Sequence, residues 1–97
     1  MFLLIETLDL IMDNIAELIS TLKTKKEILK FLKEILTEAE ITTLSKRWRI
    51  LKLLSEGETQ REIAKKLNVG LCKVTRGAKI IKDKNAITTK YLIKEKI

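Results

Sequence analysis

The sequence predicts an all-α fold of six helices, and three observations carry that expectation. The chain has no proline and only three glycines, so few residues interrupt a helix. Its apolar residues recur at steps of three and four, the period of a helix with one packed face. The Thr-x-x-Glu spacing, in which a hydroxyl and a carboxylate cap free amides, marks helix starts at Thr37 and Thr59. Ninety-seven residues without a linker or low-complexity tract fit one all-helical domain, residues 1–97. A chain this short buries little surface alone, and oligomerisation is a common source of the missing burial.

Residues 1–36 are expected to supply two dimerisation helices. Leu4, Leu8, Ile11, Ile15, Leu18 and Leu22 alternate steps of four and three, the seam of a helix packed against another helix. The period does not say whether the partner is intramolecular or a second chain; the small size favours the second. Met1 to Leu22 holds Glu6, Asp9, Asp13 and Glu17 and no Lys or Arg, a formal −4 that either separates it from the basic remainder or marks a solvated face. Those acids, and the lack of a basic start or cleavage signature, argue against a signal peptide or a membrane span and for a cytoplasmic protein. Lys25 to Leu36 forms the second helix, with Ile28, Leu32 and Ile35 on one side, Phe31 adjoining, and Lys26, Lys30 and Lys33 opposite.

The third helix is expected within residues 37–57, capped by Thr37 and stopped at Gly57. Its buried face would hold Ile41, Leu44, Trp48 and Leu51, with Lys46, Arg47 and Arg49 flanking the single tryptophan.

Residues 59–82 read as two short helices meeting across Asn68-Val69-Gly70. Ile63 and Leu67 share a face, and Ala64 is small enough for a crossing helix to approach. Asn68 suits the left-handed turn and Gly70 adds freedom beside it. Leu71, Val74, Ala78 and Ile81 would form the buried stripe of the second of these helices, leaving Cys72, Lys73, Thr75, Arg76 and Lys79 outside. Between Gln60 and Lys84, eight Lys or Arg face two acids, so this quarter of the chain holds +6 of the formal +7. The lysines alone would describe a solvated face. With the cap, the small residue and the turn they describe a helix-turn-helix whose basic second helix meets double-stranded DNA. Gln60, Arg61 and Lys65 would position phosphates; Leu71, Cys72, Lys73 and Thr75 would face base edges, with Gly70 and Lys79 completing the surface. A last helix within residues 85–97 would pack through Ile87, Tyr91 and Leu92.

One cysteine and no histidine leave no internal disulfide, no Cys/His zinc set and no histidine base, so nothing argues for an enzyme or a metal centre. Cys72 beside Lys73 is read as a small packing or DNA-facing residue rather than a reactive thiol.

From Leu36 to about Lys82 the chain resembles the bacterial tryptophan repressor family, in the runs LTEAE, KRWRILKLLSEGE, QRE and VTRG. That resemblance implies a six-helix tryptophan-repressor-like fold, with a helix-turn-helix from helices four and five and an intertwined homodimer. It also implies a repressor of tryptophan biosynthesis or transport genes, with no cofactor beyond L-tryptophan as corepressor. The family's two indole-flanking arginines match Arg47 and Arg76, its pocket threonine matches Thr37, and Gly77 would let a flat ring approach the helix. Ile80 stands near the pocket where the family continues with small polar residues, which favours a ligand-independent regulator as the alternative. A helical dimerisation or adaptor protein with a basic face is the second alternative. Read residue by residue, Arg76 also suits a phosphate contact and Gly77 a site of close helix packing.

Overall fold

The computed structural model describes the backbone of residues 2–96 and the side chains of residues 7–95. Among these residues there are six α-helices and no strand: α1 Phe2–Thr21, α2 Lys25–Ile35, α3 Glu38–Ser55, α4 Gln60–Leu67, α5 Leu71–Lys82 and α6 Ile87–Lys96. They fall into two compact units, Met1–Thr37 and Glu38–Ile97.

In the first unit α2 starts where Thr24 and Glu27 cap each other. The Glu27 amide donates to Thr24 Oγ1 at 3.1 Å, and the Thr24 amide donates to Glu27 Oε1 at 3.2 Å. No residue of α2 is buried, nor is any described side chain of α1. Of the expected seam, Leu8, Ile11 and Leu18 are exposed, Ile15 and Leu22 are half-buried, and the Leu4 side chain lies outside the described residues. The side chains of α2 follow the expected sidedness for Ile28, Phe31 and Leu32, which are half-buried, but Ile35 is exposed in its last turn.

The second unit has a core of Ile50, Ile63, Leu67 and Val74, with Leu53, Leu54, Ala64 and Val69 packed against it. Helix α3 lies against α4, α5 and α6. It ends at Ser55, and the turn that stops it reaches Gly57, whose φ of 91° is the left-handed conformation that glycine adopts without a Cβ penalty. Thr59 then caps α4, accepting the Glu62 amide at 3.2 Å. Asn68 closes α4 in the left-handed region at φ 53°, while its own amide and that of Val69 return to the last α4 carbonyls. Gly70 needs no such freedom, because its φ is −67°.

Three expectations about buried faces require correction. In α3 the fully buried residue is Ile50, whereas Leu44 and Trp48 are 48% and 41% exposed. Apolar residues occupy two stripes of this helix, and Gly77 decides between them. A Cβ built on Gly77 would stand 3.0 Å from Ile50 Cγ2 and 3.3 Å from Leu54 Cδ1, so α5 approaches α3 closely on the Ile50 stripe. In α5, Val74 and Ala78 are buried and Ile81 half-buried, but Leu71 is exposed because the first turn runs past the core. In α6 the buried residues are Leu92 and Thr89, and Ile87 and Tyr91 point outward. The Thr89 hydroxyl donates to the Ile80 carbonyl at 2.6 Å, which satisfies the buried oxygen and ties α6 to the end of α5.

Candidate ligand cleft and basic surface

Helices α3 and α5 cross closely at Gly77 and leave a cleft of about 520 Å³ beside the crossing. Spacing explains which side chains reach it. Lys73, Arg76, Gly77 and Ile80 follow steps of three and one, so they share one face of α5. From α3, Thr43, Arg47 and Leu51 follow steps of four, with Leu44 and Trp48 one register on. Val69 of the turn and Thr88 of α6 close the ends. The size falls within the roughly 300–1,000 Å³ of small-molecule sites.

The structure thus brings together Arg47, Arg76, Gly77 and Ile80. Thr37, expected beside them, is the last residue of the other unit, exposed immediately ahead of α3. Gly77 lines the cleft, but the space of its missing Cβ is filled by Ile50 and Leu54, so its first role is close helix packing. Ile80 is 37% exposed at the wall and leaves the cleft open.

Sequence reasoning did not assign Lys46, Trp48 or Lys73 to this place. Trp48 forms an aromatic wall and stands 6.0 Å from the Tyr91 ring at a 51° tilt. The KRW run already held two cations beside an aromatic ring. That α5 adds two more depends on how the helices cross. Thr42 and Thr43 also line the cleft, their hydroxyls donating to the Glu38 and Ala39 carbonyls at 3.0 Å. The four cations Lys46, Arg47, Lys73 and Arg76 share the lining with no Asp or Glu.

The surface expected to meet DNA continues from this cleft along α4 and α5. Arg61, Lys65, Gly70, Leu71, Cys72, Lys73, Thr75 and Lys79 are all exposed. Gln60 is half-buried because its Oε1 accepts the Thr75 hydroxyl at 2.8 Å, a bond that ties the start of α4 to α5. The Thr75 hydroxyl also lies 3.0 Å from the Leu71 carbonyl. On the far end of α4, Lys66 pairs with Glu58 at 2.9 Å, which removes that lysine and that acid from the charge balance of the basic face. Cys72 is a free, exposed thiol. Among the described residues no helix is long and apolar enough to cross a membrane, and no group of three or more Cys, His, Asp or Glu is placed to hold a metal ion.

Residues 11–96 match the family described as Trp repressor protein. A Trp operon repressor homolog of Chlamydia trachomatis serovar L2 is 36% identical over 80 residues, covering 77% of this chain and 85% of its own. A Trp operon repressor homolog of Xylella fastidiosa strain M23 is 46% identical over 52 residues, 53% of this chain and 56% of its own. That of Chlamydia caviae is 39% identical over 67 residues, 68% of this chain and 66% of its own. No solved structure matches the chain.

Proposed function

This chain belongs to the Trp repressor family, a family of transcriptional regulators, and from that premise we propose that it is a sequence-specific DNA-binding repressor with L-tryptophan as corepressor. One observation carries the proposal: Arg47 and Arg76, on different helices, line one cleft with the aromatic and apolar side chains of Trp48, Leu44 and Ile80. Planar guanidinium groups stack on an aromatic face and pair with a carboxylate, the two features of tryptophan that a protein can hold most firmly.

The coupling to DNA follows from α5. Lys73 and Arg76 line the cleft on the same helix that carries Leu71, Cys72, Thr75 and Lys79 on its exposed side. A ligand wedged between α3 and α5 would fix the angle at which α5 leaves the core. In a homodimer, two such helices must enter successive major grooves about 34 Å apart, so a small change in that angle changes the fit. The exposed apolar stripe of α1 is the surface that supports the dimer.

The test is calorimetric titration with L-tryptophan of the protein and of Arg47→Ala, paired with competition between operator-like and random duplexes. The expected result is one ligand per chain, binding weakened by about ten- to a hundredfold in the variant, and preference for the operator-like duplex only with ligand. Sequence preference without any ligand effect would instead favour a ligand-independent regulator, the reading to which the apolar Ile80 points. Equal binding to both duplexes would leave an adaptor with a basic face.

A further inference from the structure

Helix α5 is held at two points within its own unit. At Gly77 it crosses α3 so closely that Ile50 and Leu54 fill the space of a Cβ. Near its C-terminus the Ile80 carbonyl accepts two donors, the Asp83 amide at 3.1 Å and the Thr89 hydroxyl at 2.6 Å. A carbonyl has two lone pairs, so the hydroxyl adds to the helix bond without displacing it. Thr89 is 2% exposed and is the one buried polar side chain among the described residues. Left without its acceptor, a hydroxyl so placed would carry the full cost of desolvation.

The surroundings make this a stiff joint. The connection from α5 to α6 is turned by Asp83, whose carboxylate accepts the Asn85 amide at 2.9 Å and whose carbonyl accepts the Ala86 amide at 3.1 Å. Leu92, three residues after Thr89 and on the same face of α6, is 3% exposed, and α6 packs on α3 as well as on α5. The Thr89 hydroxyl thus links the end of α5, through α6, to the helix that α5 crosses. A rod held at one point pivots, and one held at two keeps its direction. Ile80 lies about 4.5 Å beyond Gly77 along the axis and Leu71 about 9 Å before it, at about 1.5 Å per residue, so a slip of about 1 Å at Ile80 swings the first turn of α5 by about 2 Å. That shift breaks a hydrogen bond to a base edge, whose range is a few tenths of an ångström. Attraction to phosphates survives it, because screened charges act over many ångströms.

We propose that Thr89 is a positioning residue for sequence recognition: its hydroxyl holds the Ile80 carbonyl and so fixes the direction in which α5 presents Leu71, Cys72 and Thr75. Being buried, it touches neither base nor phosphate. The inference rests on the DNA-binding reading and adds to it a residue outside the basic surface.

The test uses the duplex that the parent protein selects from a randomised pool with L-tryptophan present, and a random duplex beside it. Both affinities are measured for the parent, for Thr89→Val, which keeps the shape and removes the hydroxyl, and for Thr89→Ser, which keeps the hydroxyl. Thr89→Val should lower the ratio of selected to random affinity by about tenfold, the cost of about one lost base contact, and leave binding to the random duplex unchanged. Thr89→Ser should restore most of that ratio. A merely structural role moves both affinities together, in step with the folded fraction that a thermal melt gives. Parallel loss on both duplexes, an unchanged ratio in Thr89→Val, or a ratio that Thr89→Ser does not restore each overturns the inference and leaves the DNA-binding reading intact. A parent protein that enriches no sequence from the pool overturns that reading and the inference with it.

Discussion

The two units of this chain both contain amphipathic helices and are opposite in burial. In residues 38–97 Ile63 and Val74 are fully closed from solvent, because α4 and α5 fold back on α3 and each helix covers its neighbour. In residues 1–37 no described side chain is buried, and Leu10 and Met12 are 65% and 64% exposed. Periodicity states which face a helix can bury; it does not supply the partner. The second unit carries its own cover, whereas these apolar side chains of α1 stay exposed.

The largest expected effect tests that contrast. Ile63→Ala empties a fully buried position and should lower the unfolding free energy by about 2–5 kcal/mol in urea melts. The loss should persist at every protein concentration. Ile11→Ala, on the exposed stripe of α1, should act on association: Tm would depend less on protein concentration in the variant than in the parent. The contrast breaks if Ile11→Ala costs as much as Ile63→Ala regardless of concentration.

A smaller effect is expected at the α3–α5 crossing. Gly77→Ala puts a Cβ 3.0 Å from Ile50 Cγ2, so that side chain must give way by a few tenths of an ångström. Overpacking of this kind costs about 1–3 kcal/mol, and the better helix propensity of alanine returns about 1 kcal/mol. The expected net loss is at most about 2 kcal/mol, below that of Ile63→Ala, together with weaker ligand binding as the cleft changes shape. Ile50→Leu moves the branch away from Cβ and should recover part of the loss in the double variant. Additive losses would mean that the tight spot lies elsewhere and that the second unit owes its burial less to this crossing.

Those residues also show what the sequence made legible. Local chemistry was readable: Thr59 caps α4, Gly57 lies in the turn that stops α3, and Asn68 takes the left-handed turn, because each outcome depends on a few neighbouring atoms. The Thr24 and Glu27 capping box is equally present in the letters TKKE. The buried stripe of α3 was not readable, since Ile41-Leu44-Trp48 and Ile50-Leu53-Leu54 are both apolar and the choice is made by a glycine 27 residues further on. Leu71 and Ile87 failed for a related reason: the periodic pattern runs into first turns that no neighbour covers. At the cleft, Arg47, Arg76, Gly77 and Ile80 were identified through family resemblance, and the structure places them together. Lys46, Lys73 and Trp48 join them through the register of two helices, which no local pattern encodes.

The smallest expected effect lies at the outer edge of the second unit. The Tyr91 hydroxyl donates to Glu95 Oε1 at 2.9 Å. This hydrogen bond, then the negative charge of Glu95, and last some desolvation hold the phenol above its ordinary pKa of 10.0. A raised folded-state pKa means that the contact contributes fully below about pH 10 and is lost as the pH rises through the raised value. Tyr91 is the only tyrosine, so absorbance at alkaline pH follows it alone. The midpoint should lie above 10.0 in the parent and fall toward that value in Glu95→Gln. Because the ring stands 6.0 Å from Trp48, tryptophan fluorescence should be quenched along the same titration curve. An unshifted midpoint would show that the Tyr91–Glu95 contact is not held in solution. The outer face of α6 would then resemble α1, a surface without a fixed partner, and the division between self-covered and uncovered regions would run through the second unit as well as between the two.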